Sequence, residues 1–359
     1  MRKALSKFDA AENYDLKILV LHTGPLFAHD DARLYVNELR KTLIEVGHSI
    51  ESISLPFVAS LDAIVSQSAG YRLLDVAQSA DLCIAVGPFS YALNHPNKHV
   101  WLLSRYSPVY EHWDTRFGGA PTSSRDLETR EYVHAADRAW LSEARAVCVG
   151  SHMLAEAVFN THGIKAAMLP PTMPDGYLSS AITYENHFVA VGCTRETTRI
   201  PLIIEGFART TRKGRLLLMA FAYSSNERKH IEQIVSQAPN AGSITLEINP
   251  SYERIFQSLS SAVAFLSVPY LCEAMDIFSI AAGLSRKMIL TTSDSGELAR
   301  VVEDRVDGRC AEPNATALAH AMDEILGNKK AAQRLGDRFY EKLHSSLPSW
   351  NAIAMEFTK

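Results

Sequence analysis

Residues 267–313 read SVPYLCEAMDIFSIAAGLSRKMILTTSDSGELARVVEDRVDGRCAEP, and this stretch decides the fold. An apolar strand runs out at a turn bearing one carboxylate, a helical pattern follows, then a second apolar strand and a Ser/Gly-rich turn. Two buried strands joined through a helix form a parallel unit. Glu273 falls where strand gives way to helix, which places its side chain at the carboxyl edge of the sheet. Open α/β folds bind their ligands at that edge.

The same alternation extends outward in both directions, as in doubly wound α/β architecture. Upstream, KILVLHTG (from Lys17) is a buried strand. A helix is expected over residues 31–46, with Leu34, Leu39, Leu43 and Val46 near one face and Gly47 as its stop. HSIESISLP, DLCIAVGP and HVWLLS add strands, then come a polar helix over 124–144, the strand AVCVGS, a helix begun by Ser151, and KAAMLPP. Residues 170–186, PPTMPDGYLSSAITYEN, hold three prolines and no periodicity, and read as a linker. Alternation then restarts with HFVAVGC, a helix over 200–209, GRLLLMAF, a helix over 226–236, SITLEIN and AVAFLSVPY. Beyond the opening stretch, 316–344 reads as helix. The expected organisation is an amino-terminal domain over 1–169, a linker over 170–186, a second domain over 187–330 and a helical tail over 331–359 packing back toward the first domain.

A chain of 359 residues exceeds one ordinary core, in keeping with two domains. The net charge of −4, with no Lys/Arg cluster, argues against a nucleic-acid partner. Five scattered cysteines (Cys83, Cys148, Cys193, Cys272 and Cys310) have neither metal spacing nor a disulfide framework. The first fifteen residues are too polar for a signal peptide, and no apolar run approaches ~18 residues. A cytoplasmic protein is expected, with peripheral membrane contact compatible with the sequence.

Two blocks carry a resemblance. DLCIAVGPFSYALNHPNKHVWLLSRYSPVYEHWDTRFG (from Asp81), followed by ADRAWLSEARAVCVGS, resembles the amino-terminal domain of family-four glycosyltransferases. In the second half, VPYLCEAMD with TTSDSGELARVVEDRVDGRCAEP resembles that family's donor region, E-x7-E followed by D-S-G-G and E-D-G-V-x-G. The resemblance implies a GT-B fold, two Rossmann-like doubly wound domains facing a central cleft. It also implies a nucleotide-sugar donor as co-substrate, no cofactor and no metal, transfer with retention, and a glycan, lipid-linked or small-molecule acceptor. Developing charge on the departing diphosphate needs fixed donors, which the family supplies from basic side chains and helix amino termini.

Several expected residues are replaced here. Ser104 stands where the family has a histidine, with Arg105 beside it. Cys193 and Thr198 align with the expected Arg and Lys. The second carboxylate of the pair is Ala281, the glycine after the first is Asp276, and a further acid aligns with Arg300. By the resemblance, Glu273 orients the donor sugar, Ser104 and Arg105 occupy the catalytic loop, and Arg195 and Arg199 contact the diphosphate. The Ser295–Gly296 turn offers amides to phosphate, and Arg300 is a replacement clamp or a surface charge. His22, His29 and His112 are candidates on the acceptor side. The alternative is a degenerate, inactive glycosyltransferase-like subunit that binds or scaffolds a protein partner.

Overall fold

The computed structural model describes residues 15–28, 30–118, 123–178 and 181–359. The first half contains strands β1 (Lys17–Gly24), β2 (Ser49–Pro56), β3 (Leu82–Val86), β4 (Lys98–Leu102), β5 (Ala146–Val149) and β6 (Ala167–Met168). Between them run α1 (Asp31–Val46), α2 (Leu61–Arg72), α3 (Ser124–Ser142) and α4 (His152–His162). The second half contains β7 (His187–Cys193), β8 (Arg215–Phe221), β9 (Ile244–Ile248), β10 (Ala264–Leu266), β11 (Ile289–Thr292) and β12 (Arg309–Ala311). Its helices are α5 (Ile200–Ala208), α6 (Ser225–Ser236), α7 (Tyr252–Ser261), α8 (Ile277–Leu284), α9 (Glu297–Val301), α10 (Ala315–Gly327) and α11 (Lys329–Ser346). Helix α12 (Trp350–Thr358) follows.

Every strand pairing is parallel. The orders are β2-β1-β3-β4-β5-β6 and β12-β11-β10-β7-β8-β9, so both sheets are doubly wound, as expected, and the fold is GT-B. Strand order reverses between β1 and β3 in the first sheet and between β7 and β10 in the second. Those switch points leave crevices at the carboxyl ends of the strands. The loop after β1 carries Asp30, that after β7 carries Arg195 and Arg199, and that after β10 carries Glu273.

Local chemistry accounts for the elements. Asp30 caps α1 through the Ala32 amide, and Gly47 closes it at φ 107°. Ser123 with Asp126 and Ser224 with Glu227 form capping boxes on α3 and α6. The largest apolar cluster joins both halves, running from Val20, Tyr35 and Trp101 through Trp350 and Phe357 to Phe256, Phe265 and Phe278. Helix α11 lies on α8, where a β-carbon on Gly283 would stand 2.4 Å from Leu343. Helix α12 lies instead on the first half, with Trp350 edge-on to Trp101 at 6.2 Å and its indole N–H donating to the Met173 carbonyl at 3.0 Å.

Two local expectations are corrected, and helices α2 and α7 had not been expected. Helix α2 escapes sequence patterning because its buried stripe is Ile64, Ser68 and Tyr71, with a serine at its centre. The helix expected over 316–344 is two helices. Asn328 (φ −147°, ψ 76°) ends α10 and turns its side chain to the Ala331 amide, starting α11. Strand β10 stops at Leu266, so Glu273 lies within a loop and not at a helix start. Asp276 is the residue that caps α8, accepting from Ser279 N at 2.8 Å and Ser279 Oγ at 2.9 Å. This is the work done by an acid where the resemblance leads to a glycine.

Candidate functional site

The loop 267–276 is held in shape from both sides. The Tyr270 amide donates to Thr197 O and the Leu271 amide to Asp294 O, each at 2.9 Å. Leu271 adopts φ 42° and Arg199 φ 51°, left-handed conformations that cost non-glycine residues about 1–2 kcal/mol each. Arg199, nearly buried, spans the gap between them. Its Nε donates to Val268 O at 2.6 Å and its Nη2 to Pro269 O and Thr292 Oγ1 at 2.7 Å. Both terminal nitrogens reach the Asp294 carboxylate at 2.8 Å. The Asp294 carboxyl is held below the usual range: its own burial works against this, and the Arg199 and Thr292 hydrogen bonds prevail. On the other side Gly296, at φ 71°, presses against Cys272, whose carbonyl a β-carbon would approach to 2.2 Å. The Glu297 amide donates to that carbonyl at 2.9 Å.

This frame delivers Glu273, 4% exposed, to the first half. Arg105, in the loop after β4, receives it. Glu273 Oε1 pairs with Arg105 Nη2 at 2.6 Å and accepts from Nε at 2.8 Å, and Oε2 accepts from the Arg105 amide at 3.0 Å. The remaining Arg105 donors reach Thr161 Oγ1 (3.2 Å) and Glu111 Oε2 (3.3 Å), and its guanidinium stacks 4.0 Å from the Tyr110 ring centre. Tyr110 in turn donates to Asp137 at 2.6 Å, lies 3.2 Å from His162 Nε2, and stacks on His134 at 4.4 Å. Tyr91 donates to the other Asp137 oxygen at 2.8 Å.

Burial dominates the electrostatics of this cluster. It pushes the Glu111 carboxyl up to about 8, with Glu273 adding to the rise, and Asp137 up to about 6 against the tyrosine hydrogen bonds. Burial alone disfavours charge on Arg105, yet the neighbouring Glu273 and Glu111 raise its pKa. His162 is lowered to about 4 by burial and then by Arg105. At neutral pH the Arg105 guanidinium is charged, and the Glu111 carboxyl beside it holds its proton.

Further bonds cross the same junction. Ser151 caps α4 through the Leu154 amide (3.0 Å) and donates its hydroxyl proton to the Glu273 carbonyl. Glu297 accepts from the His152 and Met153 amides at 3.2 and 3.0 Å, so a carboxylate of the second half caps a helix of the first. Asp31 Oδ2 accepts from the Ile277 amide at 3.3 Å.

The structure thus brings Glu273, Arg105 and, through the backbone, Ser104 together; the Ser104 side chain is exposed. Arg195 is exposed, with no side-chain partner among the described residues. Ser295 turns its hydroxyl inward to Thr292 Oγ1 at 2.8 Å, and its amide donates to Thr292 O. Arg300 forms a two-bond pair with Glu156 of α4 at 2.7 and 2.8 Å, on the surface. His22 is buried with Nε2 3.0 Å from Asp30 Oδ2, off the line of a hydrogen bond. His112 is buried with Nε2 3.2 Å from the Tyr270 carbonyl, and burial lowers its pKa. His29 lies outside the described residues. Sequence reasoning missed Glu111, Asp137 and Glu297, and read Ser151 only as a helix start. Glu111 stood in the quoted YEHWDT run, six positions from its partner Arg105, but nothing local signals the approach of Glu273.

No helix among the described residues is long and apolar enough to cross a membrane. Neither a protein-family profile nor a curated protein matches the sequence. Solved structures do match. The sucrose-phosphate synthase of Thermosynechococcus elongatus aligns with TM-score 0.72 at 17% identity, covering 95% of this chain and 97% of that one. HepE of Anabaena, solved in complex with UDP-glucose, aligns with TM-score 0.69 at 13% identity over 96% and 99% of the two chains. A glycosyltransferase of Rickettsia africae gives 0.62 at 14% identity over 96% and 99%. At such identities the likeness is one of fold, along nearly the whole chain.

Proposed function

We propose that this chain is a glycosyltransferase that takes a sugar from a nucleotide diphosphate donor held at the carboxyl edge of the second sheet. One observation carries the proposal: the loop after β10, at the switch point of the second sheet, presents Glu273 to Arg105 in the loop after β4, so a carboxylate stands where the two halves meet. Donor binding then proceeds by exchange. Glu273 leaves Arg105 and takes the sugar hydroxyls, while the exposed Arg195 answers the charge that develops on the departing diphosphate. Arg199 acts through the loop it braces, since nearly all its donors are committed there. Transfer is proposed to retain configuration without a metal, as the resemblance implies. HepE's complex with UDP-glucose makes a uridine diphosphate sugar the first donor to try. The loop after β1 exposes Leu26 and, almost wholly, Phe27, which favours an acceptor with an apolar portion, such as a lipid-linked one, over a free sugar.

A second reading has its own support. Both Glu273 oxygens are bound by Arg105, and Ala281 is fully buried within α8, so the second carboxylate has no substitute at that point. A glycosyltransferase-like subunit that has exchanged catalysis for a fixed interdomain contact fits this geometry. Thermal melting with UDP-glucose and assay of UDP release decide between the two. A donor at about 100 times its Kd stabilises by about 2.7 kcal/mol. Across a panel of nucleotide sugars, neither melting shift nor nucleotide release sinks the enzyme reading. Transfer by the purified chain alone sinks the subunit reading.

A further inference from the structure

The end of the second sheet opposite Glu273 holds a different feature. Where β8, β11 and β12 begin, α10 and α11 diverge around a cavity of about 620 Å³. Arg212, Arg305, Arg309, Arg334 and Arg338 line it, against the single carboxylate of Glu324. They arrive from three places: the approach to β8, the turn before β12, and successive turns of α11. Met288, Ile325 and Ala332 form an apolar floor.

Two of the five arginines are neutralised. Arg305 and Arg309 both reach Glu324, and Arg309 Nε donates to Asp304 at 2.9 Å. Arg334 and Arg338 form no ion pair among the described residues, and Arg212 has only the nearby Asp323, which accepts from its backbone amide at 2.9 Å. Arg338 reaches only the Val306 carbonyl at 3.3 Å. Arg212 lies flat across Gly327, where a β-carbon would come within 2.9 Å of its Cζ. Arg334 is exposed. Five guanidinium groups around one cavity, only two of them paired to its one lining carboxylate, concentrate positive potential there. The start of α11 strengthens it: Asn328 caps the helix, Lys329 and Lys330 follow, and the first turn holds no acid. Charges of that sign oppose the helix dipole unless an anion lies at its end.

We propose that this cavity binds a phosphate-bearing ligand, at a site separate from the interdomain cleft. Guanidinium forks match phosphate oxygens in pairs. The volume suits a small organic phosphate whose body covers Met288 and Ile325. A free phosphorylated molecule and a lipid headgroup share this chemistry. The proposal stands independently of the glycosyltransferase reading.

The test uses the full chain, with inorganic pyrophosphate as the soluble probe and sodium sulfate at equal ionic strength as its control. Phosphatidylcholine vesicles with and without phosphatidic acid test the headgroup. Arg212 and Arg334 make no side-chain bonds, so the double variant Arg212→Ala/Arg334→Ala retains the fold, and an unchanged melting temperature without ligand verifies it. Pyrophosphate is expected to bind the wild type in calorimetry and to bind the double variant about tenfold more weakly or worse, the effect of losing charge-assisted bonds. Arg195→Ala, in the cleft, is expected to keep the binding that the double variant loses. Flotation with phosphatidic acid vesicles alone, lost in the double variant, supports the site and assigns it to a headgroup. Pyrophosphate binding without flotation assigns it to a soluble phosphate. Binding to neither, binding reproduced by sulfate, or binding lost in Arg195→Ala but kept in the double variant overturns the proposal.

Discussion

Arg105 and Glu273 stand 168 positions apart in the chain and 2.6 Å apart in the structure, joining the two sheets through a pair almost closed to water. Removing one partner of a buried pair strands the other's charge, at about 3–5 kcal/mol. Arg105→Met and Glu273→Gln are each expected to lower the melting temperature and to speed proteolysis within 170–186. In a double-mutant cycle the combined variant recovers a large part of the loss. Additive losses would mean that the contact carries no coupling.

The same pair separates the two functional readings. If Glu273 is a donor ligand held in reserve, Arg105→Met frees it and tightens UDP-glucose binding, while Glu273→Gln weakens binding about tenfold or more. Calorimetry on both variants measures this. Equal affinity in the two would place the donor elsewhere.

Protonation of Glu111 gives the junction a pH dependence. Its carboxyl is raised from 4.5 to about 8, so across that window the folded chain holds a proton that the unfolded chain has released. Stability from this group therefore falls as pH rises through the window and is level above it. His162, lowered to about 4, and Lys287, lowered to about 7, act in the opposite sense over their own ranges. The difference between wild type and Glu111→Gln isolates the effect. Relative to wild type, the variant is expected to gain stability steadily from pH about 5 to about 8. A flat difference curve would refute it.

Arg199 offers a test of shape against charge. Its planar fork serves two carbonyls, a hydroxyl and both Asp294 oxygens, a pattern that an ammonium cannot reproduce. Arg199→Lys is expected to destabilise by about 2–4 kcal/mol and to weaken donor binding, even though the charge is kept. Denaturant unfolding provides the first number and calorimetry the second.

Gly296 admits no side chain. Gly296→Ala must strain φ and displace Cys272, the residue just before Glu273, with an expected cost of about 2–4 kcal/mol. A variant as stable as wild type would show that the turn relaxes freely.

What the sequence disclosed follows from what is local. Period-two and period-3.6 patterns mark nearly every strand and helix, because each element buries its own face. Helix α2 escaped since Ser68 shares its buried stripe, and the break at Asn328 escaped since the apolar spacing continues through it. Glu273 was visible as the carboxylate of the turn that follows a buried strand. Its engagement by Arg105 was not, because that contact depends on how two independently patterned halves meet. Arg199 looked like an anion ligand for the same reason: a guanidinium carries no mark in sequence of whether its acceptors are phosphate oxygens or the chain's own carbonyls.

Helix α12 has a consequence for the order of assembly. Its Trp350 and Phe357 complete the cluster around Tyr35 and Trp101, yet both are translated after the entire second sheet. The amino-terminal half leaves the ribosome early but lacks one wall of its core until the second half has been made. Folding during synthesis, which ordinarily runs domain by domain from the amino end, is here held open, and the half that starts first finishes last.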